Sequence, residues 1–198
     1  ENPVALKTIV TTEMARKVAE TNGLKCYDTF TGFKFLAEKI KQFEQDGSHE
    51  YIFAFEESYG YLCGDYARDK DAVTASMLIA EMAAYYRTQG KTLYDAMEEM
   101  YEKYGCYCEQ TISIVMPGVS GLQRMKELMQ ELRDKPLTQI GTHKIDYTRD
   151  YMPGTCTCMA DGKSEPMELK GQNVMYYELE GGTTFIIRPS GTEPKVKV

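Results

Sequence analysis

The residues YIFAF at 51–55 restrict the fold more than any other short stretch of this chain. They form a continuous apolar run of strand length, without the alternation of a strand that has one face in water, and they lie between segments of helical periodicity. Such a strand belongs in a sheet covered on both faces, so residues 1–105 read as an α/β domain with a mixed sheet covered by helices. Residues 4–10 supply another short buried strand, followed by a Thr-capped helix that carries Met14 and Val18 on one face and stops at Gly23. A second helix starts near Thr31 and shows Phe33, Leu36, Ile40 and Phe43 at three-then-four spacing before Asp46-Gly47 ends it. The third, Ala72 to Arg87, is apolar almost all round and is expected to be deeply buried. The fourth follows Thr92, with Asp95 in the capping-box position and a stripe of Leu93, Met97, Met100 and Tyr104 expected to face the core.

The pattern changes after Gly105. Residues 107–116 alternate like a strand, Pro117-Gly118 breaks it, and Leu122, Met125, Met129 and Leu132 trace a helix that Pro136 follows. Strand-like segments come at 139–147, 174–179 and 183–187, with Gly181-Gly182 between the last two as the signal of a tight hairpin. Residues 106–198 therefore read as a smaller α+β domain with an antiparallel sheet.

With 198 residues the chain is long enough for two domains that each bury a core. A net charge of −7, with no run of Lys or Arg, argues against a sequence-independent nucleic-acid surface. No stretch has the apolar length of a membrane span, which leaves a cytoplasmic protein with small-molecule partners as the simplest expectation. The six cysteines read as free thiols. Cys106/Cys108 and Cys156/Cys158 are C-x-C pairs that could pinch a metal, but zinc sites use wider spacing and four ligands, and His49 and His143 are the only histidines. The abrupt opening ENPVALKTIV reads as cut from a longer protein. The ending PKVKV reads as the start of another strand, so the second domain is expected to be truncated, with a final strand and helix beyond Val198.

RPSGTEPK at 188–195 has the composition of an anion loop: a planar guanidinium fork at Arg188, hydroxyls at Ser190 and Thr192, and Gly191 to let neighbouring N–H groups converge. Its two prolines and glycine are equally the marks of a plain surface turn. FEESYG at 55–60 leaves the YIFAF strand at its carboxyl end, where ligands bind in open α/β sheets, and Glu56 with Ser58 could read neighbouring sugar hydroxyls; a solvated turn is the other reading. RDKD at 68–71 places Arg68 and Lys70 at a helix start, with Asp71 as the N-cap.

TGFKF at 31–35, FEESYG, RDKD and RPSGTEPK, in that order, closely resemble the α-D-phosphohexomutases, the phosphoglucomutase and phosphomannomutase family. The resemblance covers essentially the whole chain, which would correspond to the third and fourth domains of a four-domain enzyme. It implies an isomerase that interconverts hexose 1-phosphate and hexose 6-phosphate through a hexose 1,6-bisphosphate, using a phosphoserine in the first domain and Mg²⁺ held by aspartates in the second. Neither element is matched here, so the missing N-terminal domains are the implied partners and this chain alone is expected to be inactive.

By the same resemblance Glu56 and Ser58 would bind sugar hydroxyls, Thr31 and Gly32 would line the sugar site with Arg68 nearby, and Lys70 would lie near the reacting phosphate as the candidate catalytic group. Arg188, Ser190, Gly191 and Thr192 would hold the phosphate that is not transferred. Where some relatives carry a histidine soon after the serine of the sugar loop, this chain has Tyr59, Gly60 and Tyr61. The EES form points to glucose or mannose phosphates rather than glucosamine phosphates. A phosphopentomutase of the same superfamily and a non-catalytic phosphosugar-binding module are the alternatives.

Overall fold

A computed structural model of the chain describes residues 2–191 and 193–198. The chain divides into two compact units, Glu1–Glu109 and Gln110–Val198.

The first unit is built on a four-stranded mixed sheet of β1 (Pro3–Thr8), β2 (Lys25–Thr29), β3 (Glu50–Glu56) and β4 (Gly60–Leu62), in the order β2-β1-β3-β4. The first three strands are parallel and β4 folds back antiparallel on β3. Helix α1 (Glu13–Thr21), capped by the Thr12 hydroxyl, joins β1 to β2, and α2 (Phe33–Asp46) joins β2 to β3. Phe33, Leu36, Ile40 and Phe43 of α2 are all buried, as their spacing predicts, against Val4, Leu6, Ala54 and Leu62 of the sheet. Leu36 and Ile40 are fully buried, each worth about 1.5–3 kcal/mol relative to exposure. Gly47, at φ 63°, ends the helix and returns its N–H to the Phe43 carbonyl.

Three expectations are corrected in this unit. YIFAF is not covered throughout: Ala54 is fully buried, but Ile52 is 46% exposed because a register shift between Val4 and Ala5 leaves it as the bulged residue outside the ladder. Phe53, Phe55 and Tyr61 line up half-buried on the sheet face opposite α2, with ring centroids 5.7–6.4 Å apart. Helix α3 (Ala72–Thr88) buries no residue, and Val73, Met77, Ile79 and Tyr85 are all at least half exposed. Hydropathy on every side of a helix calls for cover on every side, and within this unit α3 meets chiefly β4 and the following helix. In that helix, α4 (Leu93–Tyr104), the Thr92–Asp95 capping box forms, yet Ala96 is its one buried residue and Met100 is exposed. The short strands β2 and β4 have too little apolar patterning to stand out in the sequence.

Among its described residues the second unit is an eight-stranded antiparallel sheet with one helix. Its strands are β5 (Ser113–Val115), β6 (Gln139–Ile140), β7 (His143–Asp150), β8 (Thr155–Cys158), β9 (Ser164–Pro166), β10 (Met175–Leu179), β11 (Thr184–Pro189) and β12 (Lys195–Lys197). The order is β5-β12-β11-β10-β7-β8-β9, with β6 on β7. Gly181 and Gly182, at φ 84° and 83°, turn the β10–β11 hairpin as anticipated. PKVKV does contain a strand, β12, which pairs with β11 and β5. The expected strand at 107–116 contracts to β5, extended at one end by the reciprocal Ile112–Val198 backbone bonds and at the other by the Met116 N–H on the Pro194 carbonyl.

Helix α5 (Gly118–Asp134) lays Met125, Met129 and Leu132 on Ile145, Met175, Tyr177, Leu179 and Ile187. Leu122, expected in that stripe, is 50% exposed, and the buried stripe runs instead through Gly121, four residues before Met125. A Cβ at Gly121 would lie 1.9 Å from the Met116 carbonyl oxygen. Arg133, in the last turn, forks onto both carboxylate oxygens of Asp150 at 2.8 and 3.1 Å and donates to Asn173, pinning helix to sheet.

Candidate functional site

In the first unit the carboxyl ends of the parallel strands gather most of the residues of the TGFKF, FEESYG and RDKD motifs. Chain leaving β2 passes Thr31, half-buried, and reaches Gly32, whose φ of 116° only glycine adopts readily. That conformation aims the Gly32 N–H at Oε1 of Glu56, 2.5 Å away at the end of β3. Glu56 is 5% exposed, so its carboxylate is held in place by a backbone donor and not by solvent. Ser58 is exposed on the tight connection between β3 and β4, and Tyr59 follows with φ 62°.

Gly60 then opens β4 in a close approach: a Cβ there would meet the Phe33 ring at 2.5 Å and the Lys70 stem at 2.9 Å. Glycine at 60 therefore lets Lys70 fold over the start of α2, with its ammonium 4.8 Å from the Phe33 ring centroid. The same ammonium pairs with Asp69 at 3.0 Å on the exposed surface. The RDKD segment is anchored by the Asp71 N–H on the Tyr61 carbonyl and by the Asp71 carboxylate, which caps α3 through Val73 and Thr74. Hydrogen bonds from the Thr74 and Tyr66 hydroxyls hold the Asp71 carboxyl down to about 2, so it is a fixed anion and no proton carrier at ordinary pH.

Thr31, Gly32, Glu56, Ser58 and Lys70 thus share one end of the sheet. Arg68 does not join them: its guanidinium pairs with Glu44 at 2.7 Å, roughly 16 Å along the α2 axis from Phe33.

A buried charge network at the same strand ends has no counterpart among the residues singled out from the sequence. Lys7, fully buried on β1, places its ammonium 2.7 Å from Glu13 and 3.0 Å from Asp28, and donates to the carbonyl of Thr11. The Asp28 contact is ionic rather than a directed hydrogen bond. Arg16 contacts the same two carboxylates at 2.9 and 2.5 Å and donates to the Cys26 carbonyl. Thr8 and Thr11 bond to each other, and Thr8 reaches Glu57 of the FEESYG loop at 3.4 Å. Burial raises the Glu13 carboxyl, but the hydrogen bonds and charges of Lys7 and Arg16 outweigh it and hold the group below its ordinary range. Burial also pushes the Cys26 thiol up to about 11, which keeps it protonated and inert. The legible signal was a lysine inside an apolar strand, since a charge there requires partners.

In the second unit RPSGTEPK connects β11 to β12. Arg188 and Pro189 pair with Lys197 and Val196, and the Ser190 N–H bonds the Lys195 carbonyl at 2.8 Å. The Ser190 hydroxyl accepts from the Glu193 N–H, and Lys195 pairs with Glu193 at 2.6 Å. Arg188 and Ser190 are half-buried. Gly191 is exposed, its backbone is not left-handed, and the space a Cβ would take is open. Thr192 lies outside the described residues.

A family profile described as phosphoglucomutase/phosphomannomutase, alpha/beta/alpha domain III, matches residues 1–104. The chain belongs to this family. Over 194 residues it is 32% identical to the phosphoglucomutase of Staphylococcus saprophyticus, covering 98% of the chain and 35% of the relative. Over 195 residues it is 35% identical to that of Staphylococcus haemolyticus, with the same coverage. The chain thus spans about a third of the length of these phosphoglucomutases. Its fold is similar to that of the open form of parafusin, an exocytosis-sensitive phosphoprotein and phosphoglucomutase from Paramecium, with a TM-score of 0.63 at 19% identity over 98% of this chain and 31% of the other.

Among the described residues no three His, Cys, Asp or Glu side chains are grouped to hold a metal ion. No helix among them is long and apolar enough to cross a membrane.

Proposed function

We propose that this chain is the sugar- and phosphate-binding portion of a hexose-phosphate mutase, with residues 1–105 acting as the third, sugar-binding domain and 106–198 as the fourth, phosphate-binding domain. The whole polypeptide interconverts hexose 1-phosphate and hexose 6-phosphate through a bisphosphate in the cytoplasm. Its phosphoserine and its Mg²⁺ site belong to the remaining domains, so the chain by itself has no turnover.

The observation that carries this reading is the Gly32–Glu56 bond, which joins two of the resembling motifs at one buried carboxylate. One oxygen of Glu56 is engaged by the backbone, which fixes the carboxylate to accept hydroxyl hydrogen bonds in a set direction. Ser58 supplies a second hydroxyl contact and Thr31 lines the same loop. Lys70, held over Phe33, brings a cation that stabilises charge developing on a transferring phosphoryl group. In the second unit Arg188, Ser190, Gly191 and Thr192 take the spectator phosphate.

Titration calorimetry with glucose 1-phosphate tests the reading. Saturable binding is expected, abolished by Glu56→Ala and weakened in Arg188→Ala by the loss of charge-assisted bonds worth about 2–3 kcal/mol. Equal affinity in all three proteins would refute it.

A further inference from the structure

We propose that the ring of Tyr59 is a specificity-determining contact that stacks on the apolar face of the hexose; this rests on the reading of Glu56 and Ser58 as the hydroxyl-binding residues. Among the described residues Tyr59 is the one non-glycine with left-handed backbone, at φ 62°. Aromatic side chains are disfavoured there, and tyrosine has no short polar group to offset the crowding locally as asparagine or aspartate does. A turn of this geometry is served better by glycine, which the chain places one residue later, at Gly60, where the close approach of Phe33 and Lys70 demands it.

Packing does not explain the tyrosine either. Tyr59 is 87% exposed, so its ring supports no core. The strained position therefore presents a large ring to solvent directly after Ser58, three residues beyond Glu56. Backbone outliers of this kind persist where function maintains them.

The chemistry of the ligand supplies the reason. A hexopyranose has hydroxyls around its rim and C–H groups on its faces. Carboxylate and hydroxyl side chains read the rim, while the faces call for an aromatic ring. The other rings nearby are engaged: Phe33 is buried beneath Lys70, and Phe55 and Tyr61 stack on each other. Tyr59 is the ring at this end of the sheet with both faces open to a ligand.

The test titrates glucose 1-phosphate into the 198-residue chain and its variants. Tyr59→Gly keeps the left-handed backbone without strain, so it should melt no lower than the wild type while binding about five- to tenfold more weakly. Tyr59→Phe, which keeps the face and loses the hydroxyl, should bind within about twofold of the wild type. The chain has no tryptophan, so Tyr59→Trp introduces a single indole whose emission should change saturably with the same ligand. Wild-type affinity in Tyr59→Gly, alongside loss of binding in Glu56→Ala, overturns the stacking contact and leaves the hydroxyl site standing. Binding that Glu56→Ala leaves unchanged, or that the wild type does not show, removes the site and the Tyr59 contact together.

Discussion

The backbone N–H of Gly32 donates to Oε1 of Glu56 at 2.5 Å, and in doing so crosses the end of the strand between them. The bond ties the loop after β2 to the end of β3 over β1, and it depends on a φ of 116° that a Cβ would strain. Gly32→Ala should cost about 1 kcal/mol or more of stability and should lower phosphosugar affinity, since the N–H that orients Glu56 must turn away. Urea unfolding and calorimetry on the same preparation check both effects. An alanine variant with unchanged affinity would show that Glu56 needs no such orientation.

The Lys7–Glu13–Arg16–Asp28 network makes stability depend on acid. The folded Glu13 carboxyl titrates below the 4.5 of an unconstrained glutamate, so the unfolded chain binds the proton more readily. Its contribution is complete above 4.5 and is lost as pH falls through the lowered folded value. Glu13→Gln should therefore lower the urea midpoint at neutral pH and differ progressively less from the wild type below 4.5. A gap that stays constant with pH would assign the effect to packing.

Gly121 is required by space rather than by backbone angle. A methyl group there would collide with the Met116 carbonyl, which cannot yield as a flexible side-chain tip would. Gly121→Ala should destabilise the second unit by about 1–3 kcal/mol through overpacking, despite the higher helix propensity of alanine. Thermal unfolding decides between the two effects by the sign of the change.

Tyr177 is fully buried at the centre of the second unit, and its hydroxyl has no hydrogen-bond partner among the described residues. Burial pushes its phenol up to about 12, so stability is intact below the ordinary 10 and is lost as pH climbs from there toward 12. Tyr177→Phe keeps the ring, removes the unpaired group, and should raise stability by about 1 kcal/mol at neutral pH while abolishing that alkaline decline. A destabilised phenylalanine variant would show that the hydroxyl is bonded in solution.

What the sequence by itself determined is local. The stripe Phe33–Leu36–Ile40–Phe43, the Thr92–Asp95 capping box, the Asp71 cap and the Gly181-Gly182 hairpin are set by contacts a few residues apart, so spacing alone carries them. The four motifs likewise identified the family from residues that stand close together in the chain. Tertiary structure decided what depends on distant neighbours. The apolar helix α3 is exposed because within its unit it meets chiefly β4 and α4, Ile52 leaves the sheet because β1 and β3 slip in register, and Arg68 turns to Glu44 while Lys70, two residues on, folds over Phe33. Lys7 finds its partners from two other elements, one of them the separate strand β2. Burial and charge pairing are sums over everything that surrounds a side chain, and a linear pattern records only the side chain's own half of each contact.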